Sequence, residues 1–251
     1  MKSFVGTFAR MEKKYILDRE AMRRFLEAVG DRFVDDLYPR STINSIYFDT
    51  PDDRLILHSL EHPYYKDKIR LRTYTGSVNG ETAAFAEVKK KVGGKVYKRR
   101  ITGTYGPLFR WMQGNGPAPE NSQIARELEY LRDYYGAKVP AMQIAYNRAS
   151  YLAADDPSLR ITFDTDVIWR NWGLEENGDA YGFRLLDEDC ILMEVKISGN
   201  TVPLWLVRII EDHNIAPSSV SKYGQAFISS AGKADENMER IVWKERKYYH
   251  G

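Results

Sequence analysis

Apolar and polar positions mark out eight stretches of the chain, near 8–16, 42–50, 66–75, 82–91, 95–103, 142–152, 159–168 and 190–198, most of them with charge recurring at a period of two. Each stretch is rich in β-branched or aromatic residues and is bounded by Gly, Pro, Asn or Asp, which predicts strands. Gly93-Gly94 separates two of them and predicts a tight hairpin. Elsewhere the period lengthens to that of a helix. Asp18 is placed to cap a helix over 19–29, with Met22, Phe25, Leu26 and Val29 on one side and Gly30 at its end. Ile124, Leu128 and Leu131 predict a helix over 120–135 that stops at Gly136. Pro203 opens a third over 203–213, carrying Leu206, Ile209 and Ile210, and a short helix over 222–230 follows. Segment 171–188, rich in Asn, Gly, Asp and Glu, reads as a surface excursion. With no internal repeat and no long linker, the expectation is one α+β domain over 1–251, with a core from about 8 to 230 and a charged tail over 231–251.

Composition narrows the class. The 251 residues are 43% hydrophobic and 29% charged, as in an ordinary globular chain. No apolar run approaches the ~18 residues of a membrane span, and no apolar signal segment follows Met1. The single cysteine, Cys190, excludes an internal disulfide and a cysteine-based zinc site, so a cytoplasmic setting is expected. The 37 basic residues are balanced by 35 acidic ones, which argues against a nucleic-acid partner. The placement of those charges is more informative than their sum.

Residues two apart on a strand share a face. Lys68, Arg70 and Arg72 therefore line up, with Ile69 and Leu71 on the other side. Glu87, Lys89 and Lys91 repeat the habit, as do Lys98 and Arg100, Tyr146 and Arg148, and Glu194 and Lys196. Arg160, Thr162 and Asp164 form another such set, and Arg10, Glu12 and Lys14 share a face near the start. Two readings stand. The charged phase is the solvated outer face of an antiparallel sheet, or the strands close with that face inward. The second would make a cationic tunnel that repels itself when empty and needs a polyanion, for which phosphate suits Arg and Lys best.

Other chemistry is sparse. Gly93-Gly94-Lys95 lacks the spacing of a phosphate-binding loop and its following Ser or Thr. His58, His62, His213 and His250 are scattered and read as surface residues. Cys190, ahead of an apolar strand, reads as a core thiol, and the 17 Tyr and five Trp as packing residues.

The order of short motifs resembles the triphosphate tunnel metalloenzyme superfamily, and within it the vacuolar transporter chaperone (VTC) polyphosphate polymerase domains. The stretches that carry the resemblance are Arg10-Met-Glu-Lys-Lys14-Tyr15, Ser45-Ile-Tyr-Phe-Asp49, Lys68-Ile-Arg70-Leu-Arg72 and Phe85-Ala-Glu87-Val-Lys89-Lys. They continue with Lys98-Arg-Arg100, Tyr146-Asn-Arg148, Arg160-Ile-Thr-Phe-Asp164-Thr, Met193-Glu194-Val-Lys196 and Ser221-Lys222-Tyr223. Each is short; nine in series, from about 8 to 228, are specific.

The resemblance implies the inward reading: a closed antiparallel β-tunnel with flanking helices, holding nucleoside triphosphate and polyphosphate. It also implies a divalent metal, Mn²⁺ or Mg²⁺, and transfer of the terminal phosphoryl group of ATP to a growing polyphosphate chain. Lys222, Arg70, Arg72 and Arg148 are expected to be catalytic. Lys14, Lys68, Arg70, Arg72, Lys89, Lys98, Arg100, Arg148, Arg160, Lys196 and Ser221 are expected to bind phosphate. Glu194 matches the metal-ligating glutamate. Glu12 and Glu87 either join it or neutralise a neighbouring lysine. The family arrangement also suggests that the 203–213 helix plugs one end of the tunnel, with Lys222 just beyond.

One departure bears on activity. The superfamily's first strand reads Glu-x-Glu-x-Lys, and here it reads Arg10-Met11-Glu12-Lys13-Lys14, as in the VTC branch. Fewer carboxylates leave the metal to substrate phosphates and Glu194. That disfavours the alternative of a triphosphatase, while Glu194 and Lys222 disfavour a non-catalytic polyphosphate-binding module. Eukaryotic relatives carry membrane spans and regulatory domains. This sequence shows neither, which leaves a membrane partner open.

Overall fold

The computed structural model describes residues 10–174, 178–199, 201–231 and 240–242. The expected charged tail lies outside them apart from 231 and 240–242. In chain order the elements are β1 (Arg10–Leu17), α1 (Arg19–Val29), β2 (Phe33–Asp49), α2 (Arg54–Leu60), β3 (Tyr65–Thr73), β4 (Ala83–Val92), β5 (Lys95–Thr104), α3 (Tyr105–Met112) and α4 (Gln123–Tyr135). Then come β6 (Val139–Ala153), β7 (Arg160–Arg170), β8 (Tyr181–Arg184), β9 (Ile191–Ser198), α5 (Leu204–Asp212), β10 (Ala216–Ser218), α6 (Lys222–Ala231) and β11 (Arg240–Val242).

The strands form a single antiparallel sheet in the order β10-β1-β9-β7-β6-β2-β3-β4-β5, with β8 beside β7 and β11 beside β8. The β4–β5 hairpin turns at Gly93 (φ 53°) and Gly94 (φ 83°), two successive positive angles that only glycine takes without strain. Asp18 caps α1 by accepting from the Ala21 amide at 2.7 Å, and Ser122 caps α4 by accepting from Ala125 at 3.1 Å.

The two phases of the strands enter different environments. On the outer face, Ile69, Leu71, Ala86 and Val88 of β3 and β4 pack under α3 and α4 with Leu108, Trp111 and Leu128. Also outside, Tyr15, Phe163, Met193 and Val195 of β1, β7 and β9 pack against Phe25 of α1 and Leu206 and Ile210 of α5. The other phase lines an inner face. Part of it is apolar: Ile43, Tyr47, Met142, Ile144, Val167 and Trp169 surround Tyr223 and Ala226 of α6. The rest carries the charges. A bulge in β7, where Asp166 takes φ 52°, makes the change: Arg160, Thr162 and Asp164 face in before it, Val167 and Trp169 after it.

Two expectations need correction. The sheet curls until β1 comes alongside β5, but among the described residues no hydrogen-bonded ladder joins them, so the β-tunnel is not closed. Part of the edge a closing strand would need is taken by β10, which pairs with Lys14–Ile16 of β1. Across the inner face, Lys89 of β4 meets Glu12 of β1 at 3.5 Å. The plug is also a different helix. The 203–213 segment forms α5 and packs outside, because its Leu206 and Ile210 meet the outward apolar phase of β7 and β9. The helix inside the curl is α6.

Candidate functional site

Four strands, β2 to β5, fix the first half of the site. Arg70 of β3 reaches Glu87 of β4 through Nε at 2.8 Å and Nη2 at 2.7 Å, and its Nη1 lies 3.3 Å from the Tyr47 hydroxyl of β2. Arg72 donates to Ser45 Oγ at 3.0 Å. Glu87, fully enclosed, also meets Lys98 and stands 4.0 Å from Arg100, both from β5. Burial works against the Glu87 charge, but Arg70, Arg72 and Lys98 outweigh it and hold its pKa at about 2. Glu87 is thus the counter-ion of a cationic cluster.

The second half gathers on β6, β7, β9 and α6. Asp164, fully buried, accepts from Arg148 Nε at 2.6 Å and Nη2 at 2.7 Å, and from Lys222 Nζ at 2.6 Å. Glu194 lies 2.6 Å from Lys196, 3.5 Å from Lys222 and 3.6 Å from Arg148. Burial opposes the Glu194 charge, yet Lys196, Lys222 and Arg148 keep its pKa well below the carboxylate range. The Tyr146 ring floors the pair of cations, with Lys222 Nζ 4.6 Å and the Arg148 guanidinium 5.2 Å from its centre.

Lysines from several elements complete the face. Lys68 donates to Ser221 Oγ and Lys14 to the Val220 carbonyl, each at 2.9 Å, beside the start of α6. Glu12 lies between Lys14 (3.7 Å) and Lys89 (3.5 Å). Burial and crowding act on these groups together. Burial, with Lys89, Lys14 and Lys66 nearby, pushes Lys68 down to about 8. Burial, with Arg70 and Arg72 nearby, pushes Lys98 to about 7 despite its contact with Glu87. Tyr47 moves the other way from a buried phenol: burial would raise it, but Arg70, Arg72 and Lys68 bring it to about 8.

The residues expected from the sequence therefore share one inner face, with Arg160 and Arg100 toward its rim at 43% and 44% side-chain exposure. Arg160 is held there by Asp36 at 3.2 Å. Among the contributors given no role by the sequence are Asp164, Tyr47, Asp36 and Tyr223, whose ring stacks on Tyr47 at 4.3 Å. Asp164 shares the phase of Arg160, which was its available signal; the other three act through partners far along the chain.

The donor set suits one kind of metal ion. Among the described residues no three His, Cys, Asp or Glu side chains converge, so there is no cage made of protein ligands alone. Glu194 is close enough to Glu12 to disfavour its charge, yet the surrounding lysines hold both carboxyls below the usual carboxylate value despite their burial. Two hard oxygen donors beside cations that attract phosphate fit Mg²⁺ or Mn²⁺, which take one or two carboxylates and complete their shell from substrate phosphates and water. Glu87 lies in the other cluster, among three cations.

A family model described as VTC domain matches residues 9–230. The chain belongs to the VTC-domain family. Among solved structures, a Bacillus halodurans protein provisionally named an adenylate cyclase is similar at 12% identity, with a TM-score of 0.52, over 86% of this chain and 96% of its own. A Vibrio parahaemolyticus protein with the same provisional name matches at 12% identity and a TM-score of 0.47, over 88% and 98%. The first likeness shows a shared fold. In this VTC domain the inner face is cationic and its helix-bearing half is apolar. Among the described residues no helix is long and apolar enough to cross a membrane.

Proposed function

We propose that this VTC domain is a metal-dependent polyphosphate polymerase with ATP as phosphoryl donor. The observation that carries the reading is the meeting of Lys222, Arg148, Asp164 and Glu194 at the N-terminus of α6, inside a face lined by Arg70, Arg72, Lys14, Lys68, Lys89 and Lys196. Such a face suits a chain of phosphates rather than one anion.

In the proposed reaction the bond between the β- and γ-phosphates of ATP breaks. A new phosphoanhydride bond forms between the γ-phosphorus and a terminal oxygen of the polyphosphate chain, and ADP leaves. The acceptor oxygen is already ionised, so no base is required to activate it. What the chain must supply is alignment and positive charge for a loose transition state. Arg70, Arg72 and Arg148 are fork-shaped donors that fix phosphate orientation. Lys222 adds a charge where α6 presents its positive end. Glu194, with Glu12, would hold the divalent ion, which when bound neutralises charge on donor phosphate oxygens. The apolar packing of α6 keeps water from that end of the face, which favours transfer over hydrolysis.

Incubation with ATP and Mn²⁺ or Mg²⁺, followed by gel separation of polyphosphate and assay of free phosphate, tests this. Long chains are expected. Free phosphate without chains makes the protein a triphosphatase, and binding of tripolyphosphate without turnover makes it a binding module.

A further inference from the structure

Asp164 is an acid on the floor of a face built to attract anions, and its charge works against phosphate affinity. Its geometry suggests what it contributes instead. Both carboxylate oxygens engage the Nε–Nη2 edge of Arg148, at 2.6 and 2.7 Å, which fixes the plane of the guanidinium. Nη2 also lies 3.4 Å from the Tyr146 hydroxyl and 3.6 Å from Glu194, and among the described residues Arg148 Nη1 has no hydrogen-bond acceptor, so that nitrogen remains for a ligand. The Oδ2 atom also takes the Lys222 ammonium at 2.6 Å, so one side chain sets the spacing between two cations from different elements. Asp164 itself is rigidly placed. It has no exposed surface and stands beside the β7 bulge, where Asp166 accepts from Asn147 at 3.1 Å and Thr165 at 3.2 Å. Glu87 differs, because two of its three partners, Lys98 and Arg100, are more than a third exposed and lie toward the rim.

We propose that Asp164 is a positioning residue for phosphoryl transfer, acting through Arg148 and Lys222 and keeping its hold on both when phosphate binds; this rests on the function proposed above. A residue that orients donors for the transition state affects turnover more than ground-state binding.

The test compares wild type with Asp164→Asn, which keeps the shape and removes the charge. It measures ATP turnover and, separately, calorimetric binding of inorganic tripolyphosphate. The expected result is a kcat lowered at least fivefold, with KM and the tripolyphosphate Kd changed less than fivefold. A kcat within fivefold of wild type, or a loss carried by KM and matched by weaker tripolyphosphate binding, overturns the proposal. A second measurement needs no folded Asp164 variant. The Arg148 Nε–H resonance of the wild type, assigned with Arg148→Lys, should keep its hydrogen-bonded shift when tripolyphosphate is added. Its collapse to the position of a free arginine means that phosphate displaces Asp164, and overturns the proposal. If wild type transfers no phosphoryl group, the proposed function fails, while the resonance still decides whether Asp164 holds Arg148 against phosphate.

Discussion

Glu87 and Glu194 are both buried, both ionised and both ringed by basic side chains, yet they should respond differently to loss of charge. Glu87 serves Arg70, Lys98 and Arg100. Its pKa, lowered from 4.5 to about 2, means that its contribution is present in full above pH 4.5 and is lost as pH falls toward 2. Glu87→Gln leaves three cations without their acid, a change that typically costs about 3–5 kcal/mol. Melting should fall by roughly 6–20 °C at neutral pH for a chain of this size, and tripolyphosphate should restore more of that loss than it adds to wild type. An unchanged melting temperature would show that Glu87 is not the counter-ion. Glu194→Gln should instead keep tripolyphosphate binding and lose at least tenfold in chain synthesis. Wild-type turnover across a metal titration would remove Glu194 as the ligand. The sequence placed both glutamates on the charged phase, but separating their roles needed the partners that β5, β6 and α6 bring.

At the scale of elements, the sequence located most of the sheet because most strands keep a regular charged phase and the second half of β2, buried on both faces, is rich in β-branched and aromatic residues. It missed the first half of β2, where Leu37 and Tyr38 are 80% and 74% exposed and no face is buried. It missed β8 and β10, of four and three residues, which are too short to show a period. The α2 and α3 helices, of seven and eight residues, went unread for the same reason, and Gly106-Pro107 further disguised α3. For α5 the apolar stripe was legible but its destination was not, since a stripe says which face is buried and not against what. The exchange of α5 for α6 as the inner helix can be checked directly. Ala226 of α6 is fully buried, so Ala226→Leu should overpack the inner face at a cost of about 1–3 kcal/mol. It should shift Lys222 and lower kcat at least tenfold. Leu206→Ala in α5 should cost about 2–5 kcal/mol while leaving kcat within threefold below its melting transition. Equal effects on kcat would contradict this division of labour.

At the scale of the whole molecule, the inner face holds lysines whose charge is opposed first by burial and then by neighbouring cations, and a bound polyanion would favour that charge. Lys68 and Lys98, with pKa values lowered from 10.5 to about 8 and about 7, bind fewer protons in the folded state than in the unfolded one. Stability should therefore rise with pH from about 7 toward 10.5 on account of these groups, and their penalty should be complete below about 7. A bound phosphate chain favours the charged lysines, so binding takes up protons and affinity falls as pH rises through the same range. Long-chain polyphosphate suits the measurement because its interior groups stay ionised throughout. Titration calorimetry at pH 8 in buffers of different ionisation enthalpy should show net proton uptake, and none would mean that these lysines lie off the phosphate path. Sequence phase placed the basic residues on one face but left it outward or inward, and only the family resemblance chose inward; neither could show that the sheet stops short of closure, since β10 reaches the edge of β1 at Lys14–Ile16 only through the chain's return.

In the proposed function phosphoryl transfer takes place where α6 delivers Lys222 to Asp164, Glu194 and Arg148. A contact worth ~3 kcal/mol in the transition state alone corresponds to roughly a hundredfold in rate. The most direct measurement follows γ-labelled ATP into long polyphosphate with wild type and Lys222→Ala, beside calorimetric binding of a non-hydrolysable ATP analogue. The expected result is label in long chains for wild type and about a hundredfold less for the variant, with analogue affinity within about tenfold. Chain labelling by Lys222→Ala at the wild-type rate would contradict the account.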